Sequence, residues 1–217
     1  MKGERPAWWP DWAGQYVAII GGGPSLKRSE VDMLKGRIRT VAINEAYQLL
    51  SPDVLYSCDF KWWQLRYNNV KNMQCLKVTQ DVQAAGHFQG LQRIRLRSGA
   101  NGNYCMPFLM DEWGEVGSGQ GSGFQVVNWM AQMAVKGMAL LGFDGCEVNG
   151  QIHWHGRHGE GLNNPNNSTF IGWKNWMENA APKLQELNID MVNCSAISAI
   201  GCFPKITVED TLRRWNL

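Results

Sequence analysis

A short apolar run that breaks into consecutive glycines constrains this chain more than any other feature. Gln15-Tyr-Val-Ala-Ile-Ile leads without a charged residue into Gly21-Gly22-Gly23-Pro24-Ser25-Leu26. A continuous apolar run closed by glycine fits a strand buried on both faces of a parallel sheet. Consecutive glycines let the backbone turn sharply and approach a ligand closely, and the amides beyond them can receive phosphate oxygens. Gly21, Gly22, Gly23, Pro24 and Ser25 are therefore candidate nucleotide contacts, and a branched side chain at Gly23 is expected to fill the space that phosphates need. A tight strand-to-helix turn without a ligand is the other reading. The loop is not the dinucleotide fingerprint, because Leu26 holds the third glycine position, and it lacks the Lys-Ser/Thr ending of a P-loop.

The rest of the chain alternates strand and helix patterns. Ser29-Glu-Val-Asp32 has capping-box spacing and predicts a helix that stops before Gly36. Arg37 to Ile43 and Asp53 to Cys58 read as the second and third strands, with Ser51-Pro52 between them. Leu76 to Thr79 and Arg93 to Leu96 read as shorter strands. Arg97 to Gly123 contains seven glycines and reads as a long loop. Apolar residues from Gly123 to Lys136 recur at helical spacing, Met138 to Leu141 is another buried strand, Phe170 to Leu187 a helix and Ile189 to Val192 a last strand. The expected fold is α/β, a single Rossmann-like domain over residues 15–217 with a mainly parallel sheet flanked by helices. Residues 1–14 form an irregular lead-in, and 145–168 a loop or lid segment.

A net charge of +2, from 21 basic and 19 acidic side chains, gives no nucleic-acid or membrane signal. The N-terminus lacks a signal-peptide pattern and no stretch is long and apolar enough to span a bilayer, so a cytoplasmic protein without a membrane partner is expected. The six cysteines form no Cys-x-x-Cys pair and read as free thiols of a reducing compartment. Eleven tryptophans are many for this length; most read as structural, and those near polar loops also suit stacking on sugars or bases.

Four further places carry possible chemistry. Asn44, after the second strand, stands where a Rossmann domain meets a ribose hydroxyl, or caps a turn. Asp59, after the third, could bind a hydroxyl or a metal, or cap the helix starting at Phe60. Gly119-Gln-Gly-Ser122-Gly123 opens a helix whose amides form an anion or sugar-hydroxyl site, with Ser122 as a contact or as the N-cap. Without the flanking pattern of a nucleophile elbow, Ser122 does not indicate a serine hydrolase. His153-Trp-His155-Gly-Arg-His158 holds three of the four histidines. Such a cluster suits general-base catalysis, a transition-metal site, or a solvated loop.

Taken together, Gly21-Gly-Gly-Pro-Ser-Leu26, Ala42-Ile-Asn44, Ser122-Gly123 and Leu141-Gly142-Phe-Asp144 resemble the bacterial sialyltransferases of glycosyltransferase family 42. The same skeleton is similar to motility-accessory glycosyltransferases and to archaeal hydroxymethyl-dihydropterin pyrophosphokinases. The stretch from His153 through Asn163-Asn-Pro165 to Asn193-Cys-Ser195 and Phe203-Pro204 resembles uncharacterised tailed-phage proteins.

The resemblance implies a Rossmann-like domain that holds a nucleotide-activated sugar as donor substrate, with no cofactor or metal required and a histidine as base. By position it implies that Gly23, Asn44, Ser122 and Gly123 contact the nucleotide or sugar. The expected function is glycosyl transfer to an acceptor hydroxyl on a saccharide, a modified DNA base or a small molecule, in a phage-encoded protein acting in the host cytoplasm. The alternatives are an ATP- and Mg²⁺-dependent diphosphotransferase, with Asp59 and Asp144 as carboxylate ligands, and a nucleotide-binding protein without turnover.

Overall fold

The computed structural model describes residues 2–99, 103, 104, 107–159 and 161–217. Seven parallel strands form one sheet in the order β5-β4-β3-β2-β1-β8-β9. They are β1 (Tyr16–Ile20), β2 (Arg39–Ile43), β3 (Val54–Tyr56), β4 (Leu76–Thr79), β5 (Leu91–Arg93), β8 (Gly137–Leu141) and β9 (Asp190–Asn193). From β1 in the interior the chain winds outward through β5, then crosses back to lay β8 along the other side of β1. The order therefore reverses between β1 and β8, and in open α/β sheets that reversal leaves a crevice beyond the strand ends.

Both sheet faces are covered, which is why the strands read as apolar runs rather than alternating ones. Val17, Ile19, Val41, Ile43, Tyr56, Met138 and Leu140 face one layer, built by α4 (Ser122–Gln132), α5 (Asn167–Glu186) and the lead-in indoles Trp9 and Trp12. Ala18, Ile20, Ala42, Leu55, Ala139 and Leu141 face the other, where α1 (Arg28–Asp32), α2 (Phe60–Val70), α3 (Val82–His87) and α6 (Val208–Trp215) pack. Trp9 meets Trp113 and Trp129 edge-on at 5.8 and 5.6 Å, so the 2–14 segment is tied to α4 by aromatic contact.

Several local expectations are corrected. Lys27, without a side-chain cap, precedes α1, so the Ser29 capping box does not form; a reciprocal box closes instead between Asn166 and Thr169 at the start of α5. The expected strand at Arg93 to Leu96 divides. Leu91–Arg93 joins the main sheet, while β6 (Arg95–Leu96) pairs with β7 (Glu115–Val116) in a small sheet of its own.

The segment expected as a loop between Arg97 and Gly123 is held down by a row of polar side chains on α4. Asn128 accepts from the amides of Leu109 and Gly117, both at 3.0 Å, and donates to the Leu109 carbonyl. Gln132 donates to the Glu115 carbonyl at 2.7 Å, and Gln125 to that of Ser118 at 3.2 Å. These buried amides spend their hydrogen bonds on loop backbone, fixing the approach to the α4 N-terminus. The five described cysteines are unpaired, and none of the described helices is long and apolar enough to cross a membrane.

Candidate functional site

Beyond the ends of β1 and β8 lies a cavity of about 480 Å³. It stands at the sheet's reversal point, and its volume is in the usual range for small-molecule sites. Gly21, Gly22, Gly23, Asn44, Asp59, Ser122, Gly123, Asp144, His153, His155 and His158 all line it. Sites dispersed over the sequence thus converge on one wall. Pro24 and Ser25 lie outside the lining.

The glycine loop is built for close packing of chain on chain. The amides of Gly21 and Gly23 donate to the carbonyls of Leu141 and Gly142, both at 2.8 Å, carrying the β1–β8 pairing past the strand ends. A Cβ at Gly23 would lie 2.7 Å from both the Asp144 carboxyl and the Gly142 carbonyl oxygen. The space at Gly23 therefore belongs to Asp144 and Gly142, which corrects the expectation that a ligand's phosphates fill it.

Ser25 donates its amide to Asp144 at 2.7 Å and its hydroxyl to the other carboxylate oxygen. Asp144 is buried; desolvation raises its carboxyl, opposed by the hydrogen bonds from Ser25 and Ser195. Both carboxylate oxygens thereby accept from Ser25, which ties the glycine loop to the end of β8. The turn is braced from behind: the Phe143 amide donates to Ser195 at 2.9 Å, and Ser198 donates to the Phe143 carbonyl at 2.7 Å.

With the Gly21, Gly23 and Ser25 amides committed, the start of α4 offers an open anion-binding feature. Its N-cap is Gly121, not Ser122. The first-turn amides of Ser122, Gly123 and Phe124 have no partner among the described residues and stand at the positive end of the helix. Ser122 is hydrogen-bonded to Cys58, whose thiol burial and the Asp59 charge push up to about 12, so Cys58 is no nucleophile at neutral pH. Asp59 precedes α2 without a side-chain cap, and desolvation lifts its carboxyl above the ordinary value.

Asn44 opens the 3₁₀ helix Asn44–Gln48 with φ +51°, a conformation asparagine tolerates better than most residues. Its Oδ1 is buried on the cavity wall without a hydrogen-bond partner among the described residues. Buried polar atoms ordinarily have a partner, so this one is poised for a ligand's donor.

The next residue, Glu45, carries no motif that marked it in the sequence. It is buried, accepts from Trp62 at 3.2 Å and Arg66 at 3.0 Å, and faces the same cavity. Its position after β2, beside Asn44, is the signal that could have found it. Trp173 on α5, held by donation to the Gln120 carbonyl at 2.8 Å, adds an indole to the lining.

The three histidines close the cavity as one group. The rings of His153 and His155 stack with centroids 5.2 Å apart, and His158 lies 4.4 Å from the first and 4.8 Å from the second. The segment carrying them is anchored by the Trp154 amide on the Gly22 carbonyl and by Asn164, which bonds both backbone groups of His158. Desolvation, then the neighbouring His158 and His155, depress His153 to about 4. Desolvation lowers His155 and His158 as well, while the charge of Glu45 opposes the fall in both. At neutral pH all three imidazoles are uncharged and have lone pairs to offer.

No family model and no curated protein matches the sequence. Among solved structures, the fold is similar to that of the sialyltransferase CstII from Campylobacter jejuni in complex with a substrate analogue, cytidine-5'-monophosphate. The TM-score is 0.54 and the identity 13%, with 90% of this chain and 86% of that one covered.

Proposed function

We propose that the chain is a glycosyltransferase: the cavity binds a nucleotide-activated sugar and passes the sugar to an acceptor hydroxyl. The observation that carries this reading is the convergence, at the sheet's reversal point, of an unpartnered α4 N-terminus, an orphaned Asn44 amide oxygen and three neutral imidazoles. The helix N-terminus suits the phosphate that becomes the leaving group, since its amides and dipole stabilise developing negative charge. Asn44 suits a ribose or base donor. The acceptor's proton is taken at the histidine trio, where an uncharged imidazole can receive it. The likeness to a sialyltransferase fold that holds a cytidine nucleotide supports a nucleotide in this crevice.

Mass spectrometry of products after incubation with nucleotide sugars and with ATP tests the reading. A transferred hexose- or sialic-type residue supports it; a pyrophosphoryl group transferred from ATP with Mg²⁺ would replace it with the diphosphotransferase reading.

A further inference from the structure

Each of the three uncharged imidazoles has one ring nitrogen with a free lone pair, and the three rings are close enough to share a ligand. One ring nitrogen from each lies within 4.8 Å of the other two, against about 3.3 Å for three nitrogens set tetrahedrally around an ion 2.0–2.1 Å away, so an ion would draw them together by up to about 1.5 Å. His153 presents its Nδ1 edge to Gly22 and is hydrogen-bonded to that residue's backbone, while its Nε2 is buried with no partner among the described residues. A backbone bond on one ring nitrogen and an uncommitted lone pair on the other is how a ligating imidazole is oriented. The His158 backbone is clamped by Asn164 on both sides, at 2.8 and 2.9 Å, which fixes where that ring emerges.

Charge around the cavity points the same way. Its charged lining side chains are the carboxylates Glu45, Asp59 and Asp144 against the single ammonium of Lys61. An anionic nucleotide entering this cavity meets more negative than positive side chains, a balance that a bound cation would shift.

We propose that His153, His155 and His158 form a binding site for one divalent transition-metal ion of the zinc class, with an open coordination position facing the cavity. Three nitrogen donors select zinc, cobalt or nickel over magnesium and calcium, which take oxygen. Three protein ligands and one open position is the arrangement of a reactive rather than a structural site. The inference rests on the nucleotide reading only for the ligand's charge. With an ion in place the three imidazole lone pairs would be committed to it, and a water bound at the open position, after releasing one proton to solvent, would take the acceptor's proton at the same place.

The test uses the intact protein stripped with a chelator and titrated with Zn²⁺ and with Co²⁺, whose visible absorption reports nitrogen ligation. One equivalent should bind with a four- or five-coordinate cobalt spectrum. His153→Ala, His155→Ala and His158→Ala should each weaken binding by more than the roughly tenfold to hundredfold typical of lost second-shell partners. His87→Ala, which removes the exposed fourth histidine on α3, should leave it unchanged.

The cobalt spectrum of the wild-type protein decides the matter even where an alanine variant fails to fold. Absence of stoichiometric binding, or binding kept in all three folded variants, overturns the proposal. Nucleotide binding by the stripped protein is measured separately: its presence without metal binding sinks the ion alone, and metal binding without any nucleotide binding sinks the nucleotide reading alone.

Discussion

Gly23→Ala separates a loop built to touch its own chain from one built to touch a ligand. The added methyl would meet the Gly142 carbonyl oxygen, the Asp144 carboxyl carbon and one of its oxygens, all at 2.7 Å, where ordinary contact begins near 3.4 Å. None of these can retreat freely. The Gly142 carbonyl accepts the Gly23 amide at 2.8 Å, and the Asp144 oxygen accepts the Ser25 amide at 2.7 Å. Overpacking of this kind costs about 1–3 kcal/mol, and a weakened hydrogen bond to a charged group about 1.5–3 kcal/mol if fully lost. We expect a destabilisation of about 2–4 kcal/mol, or roughly 5–15 °C in Tm for a domain of this size. Guanidinium denaturation measures it as a lowered midpoint at unchanged slope. Gly22→Ala is the control, because its methyl would meet only the His153 ring, at 3.2 Å, and a side chain can give. A Gly23→Ala protein as stable as wild type, or one less affected than Gly22→Ala, would refute the packing argument.

Asn44→Gly keeps the positive φ of +51° while removing the amide, so it should weaken nucleotide binding by about 1–3 kcal/mol with little change in Tm; calorimetric titration showing undiminished affinity would remove Asn44 from the site. In the metal-free protein, His153 has its pKa depressed from 6.5 to about 4, so between those values the unfolded chain binds the proton and the folded one resists it. Stability from this ring is complete above pH 6.5 and lost as pH falls toward 4, by about 2–3 kcal/mol after allowance for solvent at a half-buried group; denaturation midpoints that do not fall between pH 7 and pH 4.5 would contradict it. Asp144→Ala should strand the Ser25 amide and cost about 3 kcal/mol or more in urea denaturation, and a neutral result would show that the turn does not depend on the carboxylate.

The sheet was legible because strands buried on both faces read as unbroken apolar runs: Val17 to Ile20 and Met138 to Leu141 have no polar face to confuse the pattern. Short elements were not. Helix α3, whose N-cap Asp81 accepts from the Ala84 amide, is too brief for a period to show, and the β6–β7 pair joins two-residue strands across the sequence. Helix α6 did carry a signal, Thr207 capping Asp210 ahead of Val208, Thr211, Leu212 and Trp215 on one face.

At the site, positions after strand ends were readable because the fold sends them to one edge. What each does there was not. The commitment of Ser25 to Asp144 spans 119 residues, and no local pattern announces it. The buried Glu45 and the Gln125, Asn128 and Gln132 row likewise acquire their roles only from segments far along the chain.

Whether the cavity beyond β1 and β8 takes a nucleotide is read from the thermal stability of the intact protein across a panel of nucleoside mono- and diphosphates and their sugars. Ligand at about a hundred times its Kd adds about 2.7 kcal/mol to the folded state, roughly 5–11 °C in Tm for a domain of this size. We expect a rise of that order for nucleotides of one base, reduced by Asn44→Gly. A Tm unmoved by every nucleotide and nucleotide sugar at millimolar concentration, with and without divalent metal, would contradict it.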